Sequence, residues 1–244
     1  MLHLRVEGRH ARIILSRRET RNAIDVEGWH ELAELAQSAA KRGAGALIIS
    51  SLPGSMFSAG ADMREFGRFR DDEQARVDFL AALRTGIDSI ADLPIPTIAL
   101  IEGGCYGGAV ALAMACDIRV AAPGARFAIT PAKLGIGYPQ EDVHRLVGLV
   151  GPGQAARLLF TGAELDAADA LRIGLVEVHD SDAAATAEAM ADMIAGHEPE
   201  SVATLKRSIR LAAAGIARDG AQDRAFLDLL GSPALAAKLA GRGL

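Results

Sequence analysis

Apolar residues alternate with polar ones at the start of the chain and then change to a helical period. The alternation in residues 2–6 and 11–15, with Gly8 between them, predicts a β-hairpin. The helical pattern begins near Asp25, which with Asn22 is a candidate for the helix cap. Its apolar members recur at spacings of three and four and therefore share one face: Trp29, Leu32, Leu35 and Ala36.

Further along, a strand, a glycine-rich loop and a helix occur twice in the same order. The predicted strands are 46–50, 97–101 and 117–121, and the predicted helices are 72–92, 109–115 and an Ala-rich region from about 184 to the end. The glycine-rich loops are 57–62 and 103–108. The two units begin about 50 residues apart and share little sequence, so the recurrence is structural.

The composition bounds the class of protein. A chain of 244 residues, 50% of them hydrophobic, can form one large domain or a domain with an appendage. A net charge of −5 gives no basic surface for nucleic acid, and the longest apolar stretch, 109–115, is too short to span a bilayer. The start of the chain has no signal-peptide pattern. Cys105 and Cys116 have neither the number nor the spacing of a metal cluster or disulfide framework. We therefore expect a soluble cytoplasmic protein without nucleic-acid or membrane partners and without a metal.

Gly107 and Gly108 stand directly before the apolar helix of residues 109–115. Backbone N–H groups at a helix start have no intrahelical acceptor, and the helix dipole favours negative charge there. Glycines also let a ligand approach the main chain closely. The residues alone leave two interpretations open: a loop that binds a negatively charged group, or glycines that only permit tight packing of helix on strand.

Several segments match one family in order: 15–24, 57–62, 96–103, 107–119 and 161–176. Together they resemble the enoyl-CoA hydratase/isomerase family, also called crotonases, over about residues 2–210. The resemblance implies an α/β fold, a spiral of ββα units followed by a helical C-terminal region that builds homotrimers, often paired into hexamers. It implies an acyl-CoA site in a core of residues 1–190 and a helical region at 191–244.

The resemblance also implies an active site. Carried over by position, the two amides that hold the thioester oxygen fall on Ala61 and Gly108, where they stabilise an enolate-like intermediate. Coenzyme A enters as part of the thioester substrate, and no permanently bound cofactor is expected. The residues expected near it are Asn22, Ala23, Ile24, Ala59, Asp62 and Arg64. Asp62 is expected to fix its loop, and Arg64 either meets the phosphates or is an ordinary surface charge.

Two positions depart from the hydratase pattern. Hydratases of this family use two glutamates for general acid–base catalysis, and the alignment places these glutamates at Ala111 and Pro131. Neither side chain can transfer a proton. The ordinary hydratase mechanism is therefore not expected, and neither is an isomerase that depends on the second glutamate.

Residues 127–138 resemble the corresponding stretch of methylmalonyl-CoA decarboxylases of the same superfamily, which also have Thr-Pro and a nearby tyrosine. Decarboxylation needs no general base, only stabilisation of the resulting enolate. Tyr138 then orients the reacting carboxylate or its product, or else it is a core or interface tyrosine. The analogy is incomplete, because these decarboxylases keep an acid at the position of Ala111.

Several functional hypotheses remain open at this point. Decarboxylation of a malonyl-type CoA, a lyase reaction, stands slightly ahead of a hydratase or isomerase with a replacement base. A non-catalytic acyl-CoA-binding paralogue, or an enzyme for a polar or aromatic acyl group, is the alternative. Candidates for a replacement base follow Tyr138, although each is expected to face solvent: Glu141, Asp142 and His144.

Overall fold

The computed structural model describes residues 2–241, so residue 1 and residues 242–244, the outer ends of the two predicted regions, lie outside it. The predicted hairpin is present as β1 (Leu2–Glu7) and β2 (His10–Leu15), which pair antiparallel. β2 also pairs in parallel with β3 (Leu47–Ser51), in which every residue is buried. The hairpin therefore forms the edge of a sheet that is otherwise parallel.

The remaining strands complete two sheets. They are β4 (Thr97–Ile101), β5 (Gly104–Tyr106), β6 (Ile118–Ala121), β7 (Arg126–Ala128), β8 (Leu165–Asp166) and β9 (Val178–His179). The large sheet has the order β1-β2-β3-β4-β6-β9, and the small sheet has the order β5-β7-β8. β3 and β4 are buried throughout, as expected of parallel strands with both faces covered.

The helices agree with the predicted ones and add several in the second half. They are α1 (Val26–Lys41), α2 (Glu73–Ala91), α3 (Gly108–Ala115), α4 (Gln140–Thr161), α5 (Ala167–Arg172), α6 (Ala183–Ala195), α7 (Pro199–Ala213), α8 (Gly220–Leu230) and α9 (Pro233–Ala240). Asp25 caps α1, because its carboxylate accepts from the amide of Gly28 at 2.9 Å. Asn22, the other candidate cap, lies outside the helix.

The small sheet corrects one prediction. Residues 103–108 were expected to form only a loop, yet β5 lies inside this segment and pairs in parallel with β7, with Cys105 opposite Phe127. Glycine-rich segments have low strand propensity. Here the pairing partner decides the outcome, since β7 offers a free strand edge and Cys105 is fully buried against the core.

Two layers of side chains hold the large sheet. On one face, Trp29 and Leu32 of α1 are completely buried in the main core together with Ile87 of α2. On the other face, α6 contributes a row of alanines that packs on Ile48 and Leu100: Ala183, Ala187 and Ala191. The two cores explain why strand residues of both orientations are apolar.

α6 crosses residue 190, where the predicted core ends. The whole of α6 packs on the sheet, with Ala191 and Ile194 beyond that boundary, and the division into two regions stays a prediction. A helical C-terminal part, formed by α7, α8 and α9, is present as expected. These helices expose several large apolar side chains: Leu205, Ile209, Phe226, Leu227 and Leu230. Within residues 2–241, none of the helices combines the length and apolar character needed to cross a membrane.

Candidate active site

The two glycine-rich loops lie side by side. The amide of Ser58 donates to the carbonyl oxygen of Gly104 at 3.1 Å, and the amide of Tyr106 donates to the carbonyl oxygen of Ser58 at 3.0 Å. On its other side the first loop pairs with the segment before α1, through a bridge between Ile24 and Ala61. Three chain segments that are distant in sequence are thereby fixed against each other.

Gly60 allows the two loops to approach closely. Its φ is +90°, and a Cβ atom placed on it would lie 2.4 Å from the carbonyl oxygen of Tyr106 and 2.8 Å from the amide nitrogen of Gly108. A Cβ atom placed on Gly108 would in turn lie 3.4 Å from the amide nitrogen of Ala61. The amides of Ala61 and Gly108 are therefore neighbours across the junction.

Both of these amides are available to a ligand. Gly108 is the first residue of α3, so its N–H has no intrahelical acceptor. Next to Ala61, the amides of Gly60 and Asp62 donate to the Ser58 hydroxyl and to the carbonyl oxygen of Ile24. Within residues 2–241, no acceptor takes the N–H of Ala61 or of Gly108. Two adjacent, unpaired donors at a helix start suit an oxygen atom that carries negative charge.

A pocket of about 180 Å³ opens beside these amides. Its wall is mostly apolar, with Thr130, Tyr138 and Asp142 as the polar side chains. The apolar lining comes from the first loop, from the short 3-10 helix Met63–Arg68 that follows it, from α2 and from the segment before α4: Ala59, Ala61, Met63, Phe66, Phe79, Leu80, Leu83, Pro131, Leu134, Ile136 and Pro139. The size and lining fit a short acyl group.

Tyr138 contacts the glycine loop directly. Its hydroxyl donates to the carbonyl oxygen of Gly107 at 3.0 Å. Burial, with a smaller contribution from the charge of Asp142, raises the pKa of Tyr138 well above its ordinary value. The phenol is therefore neutral at physiological pH and acts as a hydrogen-bond donor at the pocket wall.

Asp142 is buried, which corrects the expectation that it faces solvent. Its carboxylate is completely covered and accepts from Arg84 at 2.6 Å and from Arg145 at 3.1 Å. Asp142 lies in the first turn of α4, on the face turned toward α2, whereas Glu141 and His144 are exposed as predicted. Burial raises the pKa of Asp142, although both arginines act in the opposite direction.

The two positions that hydratases fill with glutamate carry no ionisable group. Ala111 is completely buried in α3, and Pro131 begins a short 3-10 helix and lines the pocket. Among the described residues that line the pocket, Tyr138 and Asp142 are therefore the titratable ones. Tyr138 has a phenol and no carboxylate, and both carboxylate oxygens of Asp142 are bound by arginines. Among the described residues, the pocket therefore presents no free carboxylate.

A second cavity, of about 280 Å³, adjoins the pocket. The two share Ala59, Ala61 and Met63, so a ligand can extend from one into the other past the free amides. Most of the residues expected near coenzyme A line this second cavity: Ala23, Ala59, Asp62 and Arg64. The geometry thus separates a small apolar pocket from a wider, more polar one.

Asn22 and Ile24 do not line either cavity and instead support the loop. The side-chain amide of buried Asn22 donates to the carbonyl oxygens of Met56 at 2.7 Å and Phe57 at 3.2 Å. Ile24 is buried, and its amide donates to the carbonyl oxygen of Gly60 at 2.8 Å. Both residues hold the first glycine-rich loop in place.

Asp62 and Arg64 form an ion pair at the edge of the second cavity. The carboxylate of Asp62 accepts from the backbone amide of Arg64 at 3.0 Å and from its Nε at 2.9 Å. This contact is the main reason that the pKa of Asp62 is lowered. A third cavity, of about 620 Å³, continues past the pair between Arg17, Arg64 and Arg68. The same cavity is also lined by acids, so the outer mouth of the site carries charges of both signs: Asp25, Glu27, Asp62 and Glu65.

Some residues of the site had no recognised signal in the sequence. Phe66 and Phe79 face each other in a T-shaped contact across the pocket wall, with 5.6 Å between ring centroids. Arg84 and Arg145 reach the site only through Asp142. Phe79 and Leu83 are four residues apart on α2 and therefore share one helical face. This spacing could have predicted that the face is buried.

The family model for enoyl-CoA hydratase/isomerase matches residues 7–227, and the chain belongs to that family. The solved structure of an enoyl-CoA hydratase/isomerase family protein from Hyphomonas neptunium is similar, with a TM-score of 0.89 at 35% identity, covering 95% of this chain and 90% of that chain. An enoyl-CoA hydratase/carnithine racemase from Magnetospirillum magneticum has a TM-score of 0.92 at 28% identity, covering 98% and 91%. The predicted family and fold are confirmed.

The similar proteins include hydratases, a dehydratase and isomerase/hydratases. The carnitinyl-CoA dehydratase of Proteus mirabilis is 33% identical over 214 residues, which are 86% of this chain and 80% of that protein. The mitochondrial methylglutaconyl-CoA hydratase of Mus musculus is 39% identical over 130 residues, which are 53% of this chain and 40% of that protein. The chain thus matches less than half the length of the mouse protein. The resemblance to methylmalonyl-CoA decarboxylases stays a prediction, as do the cytoplasmic location and the trimeric or hexameric assembly.

Proposed function

We propose that this chain is an acyl-CoA enzyme in which the amides of Ala61 and Gly108 hold the thioester oxygen while an enolate forms. The support is their position: two unpaired N–H groups face the junction of the two cavities, and one of them begins α3. Donors that are already in place need no reorganisation as charge develops, and each contributes about 3 kcal/mol to transition-state stabilisation.

The thioester lies at this junction, with the acyl group in the 180 Å³ pocket and the coenzyme A part in the 280 Å³ cavity. Ala23, Ala59 and Asp62 line the path of the coenzyme A part, and Arg64 meets its phosphates. Asn22 and Ile24 do not line this path. They hold the backbone of the first glycine-rich loop, which does line it. Arg17, Arg64 and Arg68 supply the positive charge of the outer cavity. Each is paired with an acid that lines the same cavity, so contact with a phosphate requires the arginine to exchange that partner.

The reaction that we propose is the decarboxylation of a malonyl-type CoA, which makes the protein a lyase. The observation that carries it is the replacement of both hydratase glutamates by Ala111 and Pro131 beside intact amide donors. The bond between the α-carbon and the carboxylate breaks, carbon dioxide leaves, and the electron pair moves into the enolate. The α-carbon then takes a proton from Tyr138 or water. No step requires a free carboxylate base.

Tyr138 is the polar side chain of the pocket to which we assign the reacting end of the acyl chain, because its hydroxyl bonds to the loop that presents the Gly108 amide. Its neutral hydroxyl can turn from the carbonyl oxygen of Gly107 toward a substrate carboxylate and orient it. The apolar wall of the pocket solvates that carboxylate less well than water does, whereas the enolate oxygen is stabilised by two amides. The charge therefore moves toward the better-stabilised position as carbon dioxide leaves.

One observation favours a second candidate, hydration with a replacement base. Asp142 lines the pocket and has a raised pKa, which are properties of a general base. Its two oxygen atoms are already bound by Arg84 and Arg145, and a water molecule would have to displace one of them. We therefore place hydration second and a non-catalytic acyl-CoA-binding protein third.

A substrate panel tests these alternatives. Purified protein is incubated with crotonyl-, malonyl-, methylmalonyl- and ethylmalonyl-CoA, and products are followed by mass spectrometry. The proposal requires loss of carbon dioxide from at least one malonyl-type thioester at an enzymatic rate. Rapid water addition to crotonyl-CoA would instead establish hydration, and binding of every thioester without turnover would establish the binding protein.

Variants of the acidic residues sharpen the assay. Asp142→Asn is expected to retain decarboxylation within about tenfold, because the proposed chemistry needs no base there. Glu141→Gln, one residue away and exposed, is the matched control. Thermal unfolding of both variants separates a loss of chemistry from a loss of folding. A decarboxylase activity that disappears in a folded Asp142→Asn protein would contradict the proposed division of roles.

A further inference from the structure

A cluster of ionisable side chains lies away from the acyl-CoA site, where the β1–β2 hairpin meets α6. Glu7 ends β1, His10 begins β2, and Glu188 and Asp192 lie one turn apart on α6. Single oxygen or nitrogen atoms of Glu7, His10 and Glu188 all lie within 4.8 Å of one another. The cluster therefore joins two elements that the proposed reaction does not use.

His10 is buried, and its two ring nitrogens have different surroundings. Its side chain is only 5% exposed. Nδ1 lies 2.9 Å from a carboxylate oxygen of Asp192 and is hydrogen-bonded to it. A proton on Nδ1 satisfies this contact and leaves the lone pair of a neutral imidazole on Nε2. A carboxylate that binds the far nitrogen in this way is the usual companion of a metal-ligating histidine.

Nε2 points into the cluster without a hydrogen-bond partner among the described residues. The oxygen Oε2 of Glu188 lies 2.9 Å away but forms no hydrogen bond with Nε2, and Oε2 of Glu7, at 3.8 Å, is too far away for one. Two metal–ligand bonds of about 2.1 Å can span up to about 4.2 Å. Both separations therefore fit an ion placed between the nitrogen and the oxygens.

The charge of the cluster also favours a cation. Glu7, Glu188 and Asp192 carry three negative charges, and Arg12 supplies one positive charge. Arg12 binds Oε1 of Glu188 and lies 3.6 Å from Oε2 of Glu7, so it leaves Oε2 of Glu188 facing His10. With a neutral imidazole the cluster keeps two net negative charges, which a divalent ion balances.

The geometry points to a divalent transition-metal site, with Zn²⁺ as the ion, formed by His10, Glu7 and Glu188 and supported by Asp192. One imidazole and two carboxylates are ligands that Zn²⁺ accepts, whereas Mg²⁺ and Ca²⁺ prefer oxygen alone. Water completes the coordination, because both glutamates are partly exposed. The ion would join the hairpin to α6 and stabilise the sheet edge.

The test uses the full chain after removal of any affinity tag and treatment with EDTA. Calorimetric titration with ZnCl₂ is expected to show one site, and thermal unfolding is expected to shift upward by about 5 °C at zinc one hundred-fold above its dissociation constant. MgCl₂ at the same concentration is expected to cause no shift. A crystal soaked in ZnCl₂ should show anomalous scattering about 2.1 Å from Nε2 of His10.

Glu188→Gln removes one ligand charge on a partly exposed side chain, and we expect it to weaken zinc binding at least tenfold. His3→Gln is the matched control, since His3 is an exposed histidine on the same hairpin. Wild-type protein that binds no zinc would overturn the assignment and leave a charged His10 in an ion-pair cluster. Unchanged zinc affinity in Glu188→Gln would overturn it as well, because the ion would then bind elsewhere.

Discussion

The hydroxyl of Tyr138 donates to the carbonyl oxygen of Gly107 at 3.0 Å, which links the segment before α4 to the loop that presents the Gly108 amide. This bond places a neutral phenol beside the junction of the two cavities. It also ties the pocket wall to the start of α3, so one residue serves both the position of the loop and the proposed chemistry.

Tyr138→Phe removes this donor and keeps the ring. We expect kcat for the malonyl-type substrate to fall about 100-fold, within the range for loss of a proton donor, and KM to change less than threefold. The free energy of unfolding should fall by about 1 kcal/mol for the lost hydrogen bond. Steady-state kinetics and urea unfolding measure the two effects. A variant with unchanged kcat would identify Tyr138 as a packing residue.

Gly108→Pro removes one of the two proposed oxyanion donors at a position where proline is tolerated, the first residue of α3. We expect a 10²–10³-fold loss of kcat in a folded protein, roughly the effect of deleting one such donor. Gly108→Ala is the matched control, because it adds a Cβ at 3.4 Å from the Ala61 nitrogen but keeps the N–H. Equal losses in the two variants would assign the effect to crowding.

Gly60→Ala tests the close approach of the two loops. Its new Cβ would lie 2.4 Å from the carbonyl oxygen of Tyr106, at a φ of +90° that side chains rarely adopt. We expect stability to fall by roughly 3 kcal/mol and turnover to fall with it, because the Ala61 and Gly108 amides are pushed apart. Gly54→Ala, with φ +66° and nothing within 4 Å of its Cβ, should cost only about 1 kcal/mol. Similar unfolding midpoints for the two would contradict the tight junction.

Arg64→Ala tests the contact with the coenzyme A phosphates. We expect KM for the CoA thioester to rise about tenfold and kcat to stay within twofold, since the lost contact is made equally in the ground and transition states. The rise should disappear with a pantetheine thioester, which lacks the nucleotide phosphates. Arg70→Ala, at a highly exposed neighbouring arginine, is the control. An equal rise with both thioesters would indicate that Arg64 acts only through Asp62.

Asp62 predicts a pH dependence of stability. Its folded-state pKa lies below the ordinary value of 3.8, mainly because Arg64 binds the carboxylate. The unfolded chain therefore takes up a proton first as pH falls, so the stabilisation is fully present above 3.8 and is lost as pH falls through the folded pKa. Urea unfolding of the wild type and Asp62→Asn should differ at pH 7 and converge below pH 3.8. A difference that grows on acidification would show the opposite sign of linkage.

The local elements could be predicted because each depends on neighbours in sequence. The alternation around Gly8, the period through Trp29 and Leu32, and the cap at Asp25 are set by side-chain spacing and by local hydrogen bonds. The strand β5 was not predicted, because a glycine-rich segment carries no sequence signal for pairing with a strand such as β7, which follows about 20 residues later.

In the candidate site, too, some features could be predicted from the sequence and others depend on tertiary packing. The resemblance of the segments around Ala61, Gly108 and Tyr138 indicated which backbone and which phenol to look for, and the structure brings all three to one pocket. From the sequence, the side chain of Asp142 was expected to face solvent. Its burial depends on Arg84, 58 residues earlier on α2, whose guanidinium reaches it only after the helices pack.

The sequence by itself determined the family, most of the helices and strands, and the absence of ionisable groups at Ala111 and Pro131. Those properties follow from residue identity and from spacing along the chain. Only the tertiary structure decided that two amides from separate loops become neighbours, that Asn22 supports the loop and that His10 meets the carboxylates of α6. Each of these contacts joins segments that are far apart in sequence, and their geometry is set by packing of the whole chain.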